Sequence, residues 1–214
     1  MKKVVLAAAL LAVAGSAQAQ RFGIRGGVSL TNQQQRLLGQ NLENDQLTQF
    51  HAGITSELEL SDQFSLRPEL LFSRKGMDFS GTFANIVSVN YNDKLSYLTL
   101  PVTVAFKAEL GPGKVVLGAG PYAGVLLSGE RKSSGAIFSF GGSGTRDLKI
   151  GDNNDDDYKP LDAGLNFQAG YEFTDQIFFT ANYGLGLMDV QANGDDNNYR
   201  RNRSLELGLG FYLK

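Results

Sequence analysis

The chain of 214 residues predicts an all-β fold, an eight-stranded antiparallel up-and-down transmembrane β-barrel, and three observations predict it. Eight segments alternate apolar and polar residues with the two-residue period of a strand. The connections between them alternate strictly between short and long. The chain also opens on an export signal. The alternation is plainest in Leu205-Glu206-Leu207-Gly208-Leu209-Gly210-Phe211-Tyr212-Leu213, where every second side chain is apolar.

Residues 1–19 carry the signal. Lys2 and Lys3 form its positive start, Val4 to Ala14 an apolar stretch too short to span a bilayer as a helix, and Ala17-Gln18-Ala19 a cleavage site. Residues 20–214 are then expected as one outer-membrane barrel domain. The expected strands are 21–30, 50–60, 64–75, 95–108, 114–128, 160–173, 177–188 and 203–213, most of them long enough to cross a bilayer at a tilt. Short connections fall at 61–63, 109–113 and 174–176. Long ones at 31–49, 76–94, 129–159 and 189–202 are rich in Asn, Asp, Gln, Gly and Ser. Tight turns at one end and long loops at the other are the pattern of outer-membrane barrels.

Composition removes several function classes. Without Lys2 and Lys3 the formal net charge moves from -2 to -4, so nucleic-acid binding lacks its basic footprint. Cysteine is absent, which excludes disulfides and thiolate ligands. No apolar run is long enough for a membrane helix.

Comparing faces separates a membrane barrel from a lipocalin-like one, which shares the period. One face carries Phe22, Ile24, Val28, Ile54, Leu98, Val104, Leu165 and Leu207; the other carries Arg25, Gly27, Gly53, Thr99, Asn166 and Gly208. Glycine and polar residues suit a narrow lumen, so the large apolar side chains are expected outside. Phe22, Phe64, Phe106, Tyr171, Phe173, Phe179 and Phe211 all lie near the short-turn ends, as an interfacial girdle would. Pro68, Pro101 and Pro121 sit inside expected strands, so bulges or broken ladders are expected there.

Three motifs carry a family resemblance: Arg67-Pro68-Glu69-Leu70-Leu71-Phe72-Ser73, Tyr97-Leu98-Thr99-Leu100-Pro101, and Gly118-Ala119-Gly120-Pro121-Tyr122-Ala123-Gly124. In this order and spacing the chain resembles the PorT-like outer-membrane β-barrel proteins of Bacteroidetes-type bacteria, across nearly all of residues 20–214. The resemblance implies an eight-stranded barrel in the outer membrane; the secretion and gliding role associated with PorT itself is not carried over. The end, Phe211-Tyr212-Leu213-Lys214, departs from the terminal aromatic common in such barrels. Expected partners are the outer-membrane bilayer with its lipopolysaccharide and the barrel-insertion machinery, with both termini periplasmic.

The lumen holds the best-defined constellation. A loop at 61–63 pairs Leu60 with Phe64 and therefore Glu57 with Arg67, opposite charges across a ladder. Arg25, Glu59, Glu69, Lys107, Glu172 and Glu206 share that inward face, and a polar plug is expected rather than an ion path. His51, the single histidine, faces the lumen, and no Gly-x-Ser-x-Gly elbow accompanies it. A lipid-modifying enzyme is therefore the weaker alternative, and a narrow or secretion-associated channel the other; no catalytic, cofactor or metal residue is assigned. The acidic run at 152–157 lacks the glycine and glutamate of a calcium loop and is expected to be solvated. Binding is expected from the long loops, with Arg131, Lys132, Phe138 and Phe140 the candidates. The expected role is structural or one of surface interaction.

Overall fold

The structure, a computed structural model, describes residues 20–42, 44–83, 87–137, 140–153 and 155–213. The expected signal segment 1–19, Phe138 and Lys214 lie outside the described residues. Ten strands follow one another: β1 (Gln20–Leu37), β2 (Gln40–Leu42), β3 (Leu47–Glu59), β4 (Phe64–Phe83), β5 (Val87–Leu110), β6 (Gly113–Ile137), β7 (Phe140–Asp147), β8 (Leu161–Glu172), β9 (Ile177–Gly186) and β10 (Tyr199–Tyr212). Eight of them form a closed antiparallel ring in the order β1, β3, β4, β5, β6, β8, β9, β10. The seam runs from Gly23 opposite Tyr212 to Arg36 opposite Tyr199, which closes the expected last strand on the first.

The faces divide as the side-chain period demands. Phe22, Ile24, Val28, Ile54, Leu165, Leu207 and Leu209 are exposed outward, whereas Arg25, Glu57, Thr103, Gln168 and Glu206 are buried inside. At the short-turn end Phe64 lies directly opposite Phe106, their rings 5.5 Å apart. Such a pair adds about 1 kcal/mol to the burial of its surface. Gly27 is where the seam is tightest: a Cβ there would lie 2.0 Å from the Leu207 carbonyl oxygen. Gly210 leaves room for the inward ring of Phe178, which packs 4.5 Å from Tyr212.

Pro68 and Pro101 border breaks in the ladders, whereas β6 pairs with β8 without a gap through Pro121. Pairing of β4 with β5 breaks between Pro68–Val102 and Leu71–Thr99, and that of β5 with β6 between Pro101–Tyr122 and Val104–Ala119. At each break the Pro lacks the N–H its neighbour needs. The register shift itself sits elsewhere, at Ser96/Tyr97.

The expected long loops need correction. Residues 76–83 of β4 pair with 87–94 of β5 as the outer part of these strands, and β6 runs on to Ile137 and pairs with β7. Backbone hydrogen bonds extend the sheet there; one face is polar, with Asn90, Asn92 and Lys94, while on the other Phe79 stacks on Tyr91 at 4.8 Å. The 109–113 connection is a two-residue turn, with Gly111 at φ 64 before Pro112, the first-position glycine a tight hairpin requires. Leu38 and Gly39, both at positive φ, make the comparable turn between β1 and β2.

Candidate functional site

The lumen is filled in layers. Nearest the short turns, Glu57 of β3 is fully buried and meets three cations. Arg67 donates to its Oε1 from Nη2 at 2.8 Å, Lys107 Nζ lies 3.1 Å from the same oxygen, and Arg21 contacts Oε2. Glu172 accepts from Arg67 and lies 3.5 Å from Arg21, while Glu59 pairs with Lys107 at 3.2 Å from the rim, its side chain 47% exposed. Three cations thus balance three carboxylates. Arg21 also lies 4.4 Å over the Tyr212 ring, closing that end. The pairing follows from burial, because an unpartnered charge in this interior is strongly disfavoured.

One layer further out, Arg25 bridges Glu69 and Glu206, each at 3.1 Å. His51 Nδ1 is 3.0 Å from Ser29 Oγ, and both residues are 1% exposed. A serine does reach the histidine, but inside the lumen and closed off from the outer belt. Above them Lys75 donates to Asp162 at 2.8 Å and faces the rings of Tyr122 and Tyr97 at 4.5 and 5.1 Å. Asp162 also accepts from the Tyr122 hydroxyl at 3.2 Å and from Asn202 at 3.0 Å. The free space here, bordered by Arg25, Lys75, Tyr122 and Glu206, is about 20 Å³. That volume suits one water molecule.

The outer mouth is closed by different chemistry. Leu95, Tyr97, Leu126, Leu148, Tyr158 and Val190 form a buried apolar cluster with Ile150 against it. Loop segments supply much of it: the Leu148 amide donates to Gly129, that of Leu126 to Pro160, and that of Lys159 to Val190, each at 2.8 Å. The Tyr158 hydroxyl donates to Asp93 at 2.7 Å, and burial pushes its pKa up. Asp93 in turn holds Arg131 through two contacts of 2.6 Å. At the surface Arg146 donates both terminal nitrogens to Asp157, and this fork holds the Asp157 carboxyl down at about 2.

Among the loop candidates, Arg131 and Lys132 point to opposite faces of β6. Arg131 is committed to Asp93, whereas Lys132 is exposed, 3.8 Å from Glu130. Phe140 begins β7. The acidic run is used for local structure: Asp156 accepts from the Asn153 amide at 2.8 Å, and Asp157 serves Arg146. Among the described residues no group of acidic or histidine side chains converges to hold a metal ion.

Arg21, Lys75, Asp162, Asp93 and Tyr158 are parts of the lumen beyond the expected constellation. Parity was a sufficient signal for three of them: Arg21 shares a face with Arg25, Lys75 with Ser73, and Asp162 with Gly164. The alternation Val87, Val89, Tyr91, Asp93, Leu95 places Asp93 on the inward face as well, whereas no period places Tyr158.

A family model described as the outer membrane protein beta-barrel domain matches residues 16–192. Among solved structures, OprG from Pseudomonas aeruginosa is similar at 12% identity and TM-score 0.46, over 92% of this chain and 97% of that one. Neisserial surface protein A is similar at 13% identity and TM-score 0.44, over 91% and 99%. Ail, the attachment invasion locus protein of Yersinia pestis, is similar at 11% identity and TM-score 0.40, over 92% and 100%. No curated protein sequence matches.

Proposed function

The chain belongs to the outer-membrane β-barrel domain family, and from that premise we propose a non-enzymatic barrel with a closed lumen, acting as a structural or surface-interaction protein. Its place is the outer membrane. The carrying observation is the double closure: a charge-balanced layer around Glu57 at one end and the apolar cluster around Tyr158 at the other. A lumen filled twice over leaves the outer face and the β4–β7 hairpins as the surfaces that meet partners. On this reading residues 1–19 are removed on export, both ends of the barrel domain face the periplasm, and the hairpins stand outside the cell. Lipopolysaccharide surrounds the outer half of the belt, and the insertion machinery receives the β10 edge. The PorT-like assignment belongs to this proposal, supported by the three motifs in β4, β5 and β6.

Planar-bilayer recording tests the reading. Purified protein is expected to leave the bilayer silent, and steady single-channel conductance would sink the closed-lumen account in favour of a channel. The enzyme alternative draws on the Ser29–His51 contact, and its test is separate. Alanine at His51 is expected to leave the lipids of reconstituted vesicles unchanged relative to wild type, whereas a hydrolysis activity lost with His51 would establish it.

A further inference from the structure

The outward face of the seam carries an arginine cluster with no counter-charge among the described residues. Ser29, Thr31, Gln33 and Gln35 of β1 and Asn202, Ser204 and Glu206 of β10 are buried inward. Their alternates therefore face out: Arg36 and Gln34 on β1, Arg201 and Arg203 on β10. The register sets Gln34 opposite Arg201 and Arg36 opposite Tyr199. Neutral groups hold the three guanidinium groups in place. Arg203 donates to Gln34 Oε1 at 2.6 Å, Arg36 Nε to the Gly39 carbonyl at 3.0 Å, and Arg201 lies 4.5 Å over the Tyr199 ring. Among the described residues none of the three makes an ion pair, whereas Arg131, Arg146 and Lys159 near the same mouth each face a carboxylate. The cluster begins two residues beyond Leu205 and directly adjoins the exposed apolar belt of Leu205, Leu207 and Val28. Three fixed positive charges at the rim of an apolar belt, over a span of about 13 Å along the strands, match phosphates carried by a lipid.

The geometry points to a binding site for the phosphorylated headgroup of an outer-leaflet glycolipid, formed by Arg36, Arg201 and Arg203 at the barrel seam. The inference rests on the outer-membrane reading above, with the long-loop end outward. Planar guanidinium groups take phosphate oxygens through paired, charge-assisted hydrogen bonds, and the alkyl stems lie along the belt. A headgroup with two phosphates would engage arginines at both ends of the cluster. It would also brace the β1–β10 seam, the pair that closes the ring.

Native mass spectrometry of the detergent-purified full chain with diphosphoryl lipid A tests this. Wild type is expected to retain the lipid, and the R36Q/R201Q/R203Q variant to retain it about tenfold less, equivalent to losing one strong phosphate contact. Lipid A stripped of both phosphates should be lost from wild type to the same degree, and K132Q should behave as wild type. Equal retention by the triple variant, or equal binding of the dephosphorylated lipid, overturns the site. Inorganic phosphate that displaces the lipid at millimolar concentration would instead mark a free-anion site and overturn the headgroup assignment. Should the triple variant fail to fold by its gel mobility before and after heating, R203Q alone carries the test with a threefold loss expected. Bilayer conductance would sink the closed-lumen reading without affecting lipid retention, so the two fail separately.

Discussion

The two ends of the lumen are closed by opposite means. At the short-turn end the closure consists of ionised side chains projecting from five barrel strands: Arg21, Glu57, Glu59, Arg67, Lys107 and Glu172. At the outer end it is an apolar cluster, with Leu148, Tyr158 and Val190 arriving from segments between strands. The inner layer is part of the barrel and opens only when the strands separate. The outer cluster is held by a few backbone bonds and its own burial, so it is built to open locally. The same lumen thus has a rigid floor and a detachable cap.

The largest effect is expected at the floor. In E57Q the cations Arg21, Arg67 and Lys107 lose the carboxylate they share. Removing one partner of a buried charge cluster costs about 3–5 kcal/mol. Urea unfolding in detergent should show one transition moved to lower urea, read equally by strand signals all round the ring. A loss confined to β3 and β4 would break the claim that the floor belongs to the whole barrel.

Y158A comes next and should act differently. Truncating a fully buried aromatic costs about 3 kcal/mol or more, and here it also leaves Asp93 without its hydroxyl donor. Amide exchange in residues 147–160 should accelerate roughly a hundredfold, each 1.4 kcal/mol being a factor of ten. Exchange in β8, β9 and β10 should not change. If the barrel strands accelerate too, the cap and the floor are one cooperative unit. R131K, which keeps the charge but loses the two-pronged contact to Asp93, should loosen the same segment by about 1 kcal/mol. Its measured exchange distinguishes the ion pair from the apolar packing beside it.

This contrast also explains what was legible in the sequence. The ring, its closure and the Glu57–Arg67 contact follow from a period of two and a turn at 61–63, because a strand leaves each side chain only two directions. Arg21, Lys75 and Asp162 obey the same parity and were within reach of it. The cap was not. Leu148, Tyr158 and Val190 meet through chain reversals that no periodicity encodes, whereas Asp93 follows the alternation on a strand whose outer face, with Asn90 and Asn92, is polar. A hairpin polar on its outer face reads as loop in composition while its backbone pairs as sheet. The arginine cluster at the seam was hidden in the same way, since 31–49 and 189–202 were read as loops until β1 and β10 ran on to Leu37 and back to Tyr199.

The smallest expected effect probes the latch of the cap. Asp157 accepts both terminal nitrogens of Arg146 and the Lys149 amide, the latter at 2.9 Å. The fork from Arg146 is the main reason its carboxyl is held at about 2, below the ordinary value of 3.8. A carboxyl whose pKa is depressed by folding stabilises fully above its unfolded value and loses that contribution as pH falls through the folded one. The latch is therefore intact above about pH 4 and released as pH falls through about 2. The Arg146 side chain is 49% exposed, so solvent screening keeps the contribution below about 1 kcal/mol. The Lys149 amide resonance in micelles should titrate with a midpoint near 2 in wild type and show no such step in D157N. A midpoint near 3.8 would mean that Arg146 does not hold the carboxylate. The cap would then close through the Tyr158 cluster and the Asp93–Arg131 pair, with no contribution from the surface fork.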